Sequence, residues 1–143
     1  PGSDRTKMTA TFSTTRRLAF GDCDPSGIAY FPSYLDMMVA ATEAFFAHVG
    51  VPWPQLVGER RIGTPTVTLN LTFERPGFHG DLLEFHVAVK AMGRSSLDLQ
   101  HRVESAGHVL WRADQRIVAT SLETHRAIAW PDDVRAAFRP GPP

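Results

Sequence analysis

Only one stretch of this chain carries helical periodicity, and almost everything after it alternates. Between Pro32 and Val49, positions Leu35, Met38, Val39, Thr42, Phe45, Phe46 and Val49 recur at helical spacing and form one stripe. Pro32 suits a first helical turn, where a missing N–H costs nothing. Gly50 and Pro52 supply the stop. From Thr66 the period becomes two. Val67, Leu69, Leu71 and Phe73 point one way, and Thr66, Thr68, Asn70 and Thr72 the other. A turn at Pro76-Gly77 leads into alternation over residues 82–92. Gly93-Arg94-Ser95 turns into Leu97, Leu99, His101 and Val103, and residues 105–108 turn into a long strand over 109–122. Residues 12–20 suit a first strand and 125–130 a short last one, with a turn of helix from Pro131. Short turns make antiparallel neighbours, so the pattern predicts an α+β fold: a long central helix packed on a five- or six-stranded antiparallel sheet. One helix covers part of such a sheet, which leaves the rest of the face, or an edge, for another subunit.

The 143 residues fit one domain, expected over 12–138, with flexible termini at 1–11 and 139–143. A formal net charge of zero advertises no nucleic-acid partner. No apolar run approaches the ~20 residues of a membrane span. A single cysteine, Cys23, cannot close an internal disulfide, which points to a reducing cytoplasm. The six histidines show no metal-ligand spacing, so neither a metal nor another cofactor is expected. Gly-x-Ser-x-Gly and Gly-rich phosphate loops are both missing from the sequence.

The chemistry concentrates in FGDCDPSGIAYFPSYLD, residues 20–36. Asp-Pro-Ser-Gly is a good turn in any protein, and by itself Asp24 reads as a turn carboxylate. Asp22 reads as a structural carboxylate bonded to loop backbone. Gly27 lets the chain bend and lets a ligand approach closely. Cys23 reads as a small packing residue.

This string, the long helix after it and IGTPTV opening a strand together resemble the hotdog-fold acyl-CoA thioesterases, in their 4-hydroxybenzoyl-CoA thioesterase branch. The likeness runs from about residue 13 to residue 130. It implies that Asp24 is the catalytic carboxylate, as nucleophile on the thioester carbonyl or as general base for water. Physics supports the place, because a helix start aims free N–H groups and a positive dipole end at the loop. The candidate donors are the N–H groups of Tyr30, Phe31 and Ser33, and the family likeness picks Phe31. Thr64 of IGTP matches a position near the thioester, although Thr before Pro is also ordinary extended chain. Arg94, Ser95 and Ser96 match the turn that binds coenzyme A phosphates; Gly93 and Ser95 stand where that branch is more basic. A second clade of aryl-CoA thioesterases carries its carboxylate on the helix, where Asp36 and Glu43 are the available acids; both read here as solvated flank residues.

The resemblance implies an enzyme that hydrolyses an aromatic acyl-CoA, with Gly27, Tyr30, Thr64, Arg94, Ser95 and Ser96 binding substrate. Tyr30, Phe31 and Trp53 are the expected contributors to an acyl pocket. Short aliphatic acyl-CoA or acyl-carrier-protein substrates, and a non-catalytic acyl-CoA-binding module, are the alternatives. A homo-oligomer is implied: dimers joining two sheets edge to edge, and tetramers of these, with the active site at the subunit interface.

Overall fold

The computed structural model describes residues 10–139. Strand β1 (Thr11–Arg17) is followed by helix α1 (Phe31–His48), then by a short strand β2 (Ile62–Gly63). Four longer strands come next: β3 (Thr66–Phe73), β4 (Leu82–Met92), β5 (Ser96–Ser105) and β6 (His108–Val118). A short β7 (Thr120–Ser121) and helix α2 (Asp132–Ala137) finish the order. The main sheet has five strands in the order β1-β4-β5-β6-β3, and β2 pairs with β7 in a separate ribbon. Every pairing is antiparallel. The architecture is the expected α+β one, with α1 laid across one face.

Helix α1 buries Tyr34, Met37, Met38, Ala41, Thr42, Phe45 and Phe46. The stripe read from the sequence sits to one side of this face. Leu35 is half-buried and Val39 is 46% exposed, whereas Tyr34, Met37 and Ala41 are inside. The reason is placement: α1 runs closest to β1 and β4, so its flank toward β3 lies uncovered. Against the buried face stand Leu83, Phe85 and Val87 of β4, Leu97, Leu99 and Val103 of β5, and Trp111 and Ile117 of β6. Each large apolar side chain enclosed there contributes about 1.5–3 kcal/mol. The helix stops where Gly50 takes φ 94°, with Gly50 N–H donating to Ala47 and Val51 N–H to Phe46.

Several boundaries differ from the sequence pattern. The first strand ends at Arg17, and a tight helical turn occupies Phe20–Asp22. The long strand breaks after Val118, and Thr120–Ser121 cross over to pair with β2. Residues 125–130 form no strand and make a single bridge, Thr120 to Ala127. Ser121 Oγ accepts the N–H groups of Glu123 and Thr124, and His125 takes φ 59°, so the chain coils where a strand was expected. In β3 a bulge between Thr66 and Thr68 moves Val67 out of line, and Thr66 joins the core-side register opposite Ile117. Of the expected flexible ends, 1–9 and 140–143 lie outside the described residues. Ala10 and Thr11 are held by β4 instead, through Val89 N–H to the Ala10 carbonyl and the Thr11–Ala88 pair.

One polar chain crosses the core between helix and sheet. Gln115 Oε1 accepts from His101 Nε2 at 2.7 Å and lies 3.4 Å from Thr42 Oγ1, while Gln115 Nε2 donates to Thr66 Oγ1 at 2.8 Å. His101 is 1% exposed, and burial holds its pKa below the usual 6.5 despite the Gln115 bond. An imidazole that protonates more readily unfolded than folded contributes stability above its unfolded pKa, and that contribution is lost as pH falls. The carboxylates held below their usual range, Asp24, Asp98 and Asp133, lose their contribution at more acid pH, as pH falls through the ordinary carboxylate range and below. Thermal melts should therefore show Tm dropping between about pH 7 and 5, and His101→Gln should flatten most of that slope. A slope unchanged in the variant would remove His101 as its source.

Candidate active site

The loop between β1 and α1 is folded back on itself by its own backbone. Asp24 N–H donates to Ile28 O, Gly27 N–H to Asp24 O and Tyr30 N–H to Asp22 O, all within 2.8–2.9 Å. Gly27 sits at φ 83°, where a side chain would be strained. The two aspartates of the motif do different work. Asp22 is structural at both ends: Oδ2 accepts Ala19 N–H at 3.0 Å and Oδ1 lies 3.5 Å from Arg16. Asp24 receives both the N–H of Ser26, at 2.8 Å, and the Ser26 hydroxyl on a single oxygen, Oδ1. Its Oδ2 has no partner among the described residues. The Ser26 hydroxyl and N–H together hold the Asp24 carboxyl below the usual carboxylate range. Cys23, between them, points Sγ at the Ala19 carbonyl, and burial followed by the Asp22 and Asp24 charges pushes its thiol up, which suits packing and not nucleophilic attack.

The helix start offers a free donor in Phe31. Tyr30 N–H is taken by Asp22 O, Ser33 N–H by Tyr30 O, and Pro32 has none. Phe31 N–H has no partner among the described residues, so the helix's positive end is presented through it. Beside it opens a cavity of ≈ 370 Å³ lined by Ile28, Ala29, Phe31, Tyr34, Phe73 and the segment Glu74–Gly77. The Phe31 and Phe73 rings meet edge to face at 6.1 Å. A larger cavity, ≈ 470 Å³, lies on the sheet face away from α1. Its charges are already paired, Arg116 with Asp98 and Lys90 with Asp114, so it presents no reactive group.

Sequence reasoning missed two residues that set this geometry. Ala29 N–H donates to Gly77 O, and Ile28 bridges Phe78, so the segment after β3 carries the motif loop. Gly77 sits against the buried Tyr34 hydroxyl, and a Cβ there would lie 2.3 Å from that oxygen. Burial, then the Asp81 and Cys23 charges, push the Tyr34 phenol up to about 12. Pro76-Gly77 reads only as a turn in sequence, and nothing local says that a tyrosine 43 positions earlier needs the space.

Asp24, Gly27, Tyr30 and Phe31 are thus brought together, with Tyr30 and Phe31 both exposed. Thr64, Arg94, Ser95 and Ser96 are not with them. Val118 N–H bonds Pro65 O and Ala119 N–H bonds Ser95 O, which gathers these four at the other end of the sheet. The eleven residues of β4 separate the two groups, a distance of about 30 Å along the strand. Trp53 packs on Phe46 at 5.8 Å, away from the motif loop, and Asp36 and Glu43 are exposed on α1. Among the described residues no group of potential ligands could hold a metal ion, and no helix is long and apolar enough to cross a membrane.

A long helix on a five-stranded antiparallel sheet, with a carboxylate turn at the helix start, defines the hotdog class of thioester hydrolases. Residues 18–138 match the thioesterase-like superfamily, and the chain belongs to it. It is 37% identical over 135 residues to the 4-hydroxybenzoyl-CoA thioesterase of Pseudomonas sp. (strain CBS-3), covering 88% of this chain and 96% of that one. It is 30% identical over 95 residues to the 1,4-dihydroxy-2-naphthoyl-CoA hydrolase of Synechococcus elongatus, covering 66% of this chain and 70% of that one. The crystal structure of a mutant 4-hydroxybenzoyl CoA thioesterase complexed with 4-hydroxybenzoyl CoA superposes with TM-score 0.84 at 31% identity, over 90% of this chain and 99% of that one. The chain is accordingly an acyl-CoA thioester hydrolase by family.

The Gly77–Tyr34 contact makes a compensation test. Gly77→Ala should destabilise the fold by about 1–3 kcal/mol through overpacking, read by chemical denaturation. Adding Tyr34→Phe, which removes the opposing oxygen, should recover about half of that loss. Strictly additive effects would show that the hydroxyl is not what Gly77 accommodates.

Proposed function

We propose that this protein hydrolyses an aromatic acyl-CoA thioester, with Asp24 as the attacking or base carboxylate and Phe31 N–H as the donor to the carbonyl oxygen. One observation carries the reading: Ser26 ties up Oδ1 of Asp24 and leaves Oδ2 unpartnered, while Phe31 N–H is the free donor of the adjoining helix start. A thioester carbonyl needs both at once. As its oxygen becomes negative, the Phe31 N–H and the helix dipole stabilise it. Oδ2 either adds to the carbonyl carbon, expelling the coenzyme A thiolate and leaving an anhydride for water to open, or takes a proton from the water that adds. Both routes yield the free acid and the thiol.

The acyl group is proposed to be aromatic because Phe31, Tyr34 and Phe73 line the adjoining cavity and the named relatives act on aromatic acyl-CoA. Aliphatic or carrier-bound acyl groups, or binding without turnover, are the readings to exclude. A reducing cytoplasm suits the single cysteine.

The working unit is proposed to be at least a dimer. Strand β3 is an edge whose apolar side chains Val67, Leu69 and Phe73 are exposed, and such an edge invites pairing. A two-fold antiparallel pairing of two β3 edges sets the Asp24 end of one copy beside the Thr64 and Arg94 end of the other. That supplies coenzyme A contacts which a single copy keeps about 30 Å away.

Purified protein should release thiol faster from benzoyl-CoA or 4-hydroxybenzoyl-CoA than from acetyl-CoA or palmitoyl-CoA. Asp24→Asn should lower kcat by ~10² or more with the fold intact; near-native turnover in that variant would sink the assignment. Because the Asp24 carboxyl is held below the usual carboxylate range by Ser26 and acts when ionised, the acid limb of kcat/KM should lie below that of an ordinary aspartate. Ser26→Ala should move that acid limb upward. Val67→Asp on the β3 edge should yield monomers with little activity despite an intact Asp24, measured by sedimentation alongside the assay. Active monomers would refute the shared site.

A further inference from the structure

We infer that Arg135 and Trp130, on and just before α2, are positioning residues for the coenzyme A phosphates, because they turn the carbonyls of Gly93, Arg94 and Ser96 away from the ligand. This rests on the reading above that the β4–β5 turn binds those phosphates.

The turn is short of charge for the task. Gly93 and Ser95 carry none, leaving Arg94 as its one cation. What it presents instead is backbone. Arg135 Nη2 donates to Gly93 O at 2.7 Å and reaches Arg94 O at 3.3 Å. Trp130 donates twice, from its backbone N–H to Arg94 O at 2.9 Å and from its indole Nε1 to Ser96 O at 3.0 Å. Ala119 N–H takes Ser95 O at 2.8 Å, and Gly93 N–H also takes Ser96 O. All four carbonyl dipoles of the turn therefore point into the protein. The N–H groups of Arg94 and Ser95 have no partner among the described residues.

Successive free N–H groups in a turn bind anions, and an outward carbonyl among them would repel a phosphate. Arg135 does two things at once. Its hydrogen bonds fix the orientation, and its half-buried charge lies directly behind the turn, where solvent screens it less than an exposed one. Gly93 also leaves Ser96 Oγ its present place, since a Cβ there would meet that oxygen at 2.5 Å and turn the hydroxyl aside. The side chains that hold the turn are anchored in turn by the core: Trp130 is 3% exposed, and Val134 and Phe138, flanking Arg135, are buried.

The test uses coenzyme A and pantetheine, which share the thiol arm and differ in the nucleotide phosphates. Titration calorimetry gives the ratio of their dissociation constants for wild type, Arg94→Ala, Arg135→Met, Arg135→Lys and Trp130→Phe, each checked for folding by thermal melt. The expected result is that wild type prefers coenzyme A and that Arg94→Ala and Arg135→Met each cut this preference by about fivefold or more. Arg135→Lys should restore part of it. Trp130→Phe, which removes only the indole donor, should cut it less; it and Arg135→Lys decide the matter if Arg135→Met fails to fold. If Arg94→Ala cuts the preference and neither Arg135 nor Trp130 variants do, the inference about the C-terminal segment is overturned and the phosphate turn stands. If wild type shows no preference, or Arg94→Ala leaves it intact, the phosphate-turn reading falls and this inference with it.

Discussion

An eighteen-residue helix is too narrow to roof a five-stranded sheet, and the open side of this fold follows from that mismatch. A helix with its side chains is about 10–12 Å across, and strands spaced nearly 5 Å apart give the sheet roughly twice that width. Helix α1 settles over β1 and β4, so the shortfall falls entirely on the β3 side. There the sheet's inner face, the β3 edge and the flank of α1 bearing Phe31 and Val39 are all left uncovered. The free helix start opens onto the same side. Apolar surface, an edge strand and the free Phe31 N–H thus meet on one side of the fold.

In the motif loop two carboxylates two residues apart are bonded in opposite ways. Asp22 spends both oxygens on Ala19 and Arg16, and its backbone carbonyl on Tyr30, so it shapes the loop. Asp24 engages one oxygen only. The turn role read from Asp-Pro-Ser-Gly and the reactive role implied by the family are therefore compatible, because the bond that makes the turn is also what aims the other oxygen. Pro32 contributes by absence: lacking an N–H, it leaves Phe31 N–H as a donor without a partner among the described residues.

Local pattern revealed what local forces decide. The helix bounds, the alternation of β4 and β5, and the turn at residues 93–95 were legible because each depends on spacing within a dozen residues. Asp22 as a loop-holding carboxylate was legible for the same reason. The buried face of α1 was misjudged because it depends on which strands the helix lies over, and periodicity alone cannot separate a stripe at 34, 37, 38 and 41 from one at 35, 38, 39 and 42. The last strand failed at His125, where a left-handed residue coils the chain. Tyr34 with Gly77, and Arg135 with Gly93, are pairs more than forty positions apart whose meeting is made by the sheet. No window along the chain contains both partners.

The C-terminal segment has a consequence for how the chain comes to be folded during synthesis. Phe138 packs on Phe45 and Phe46 at 5.4 and 4.8 Å, and Trp130 and Arg135 close the turn at residues 93–96. The helix and all five strands of the main sheet are synthesised before these residues. Until then Phe45 and Phe46 lack the cover of Phe138, and the core is unfinished. Such a nascent chain exposes apolar surface of the kind that chaperones bind, and it holds that form until Phe138 clears the exit tunnel and the core can shut.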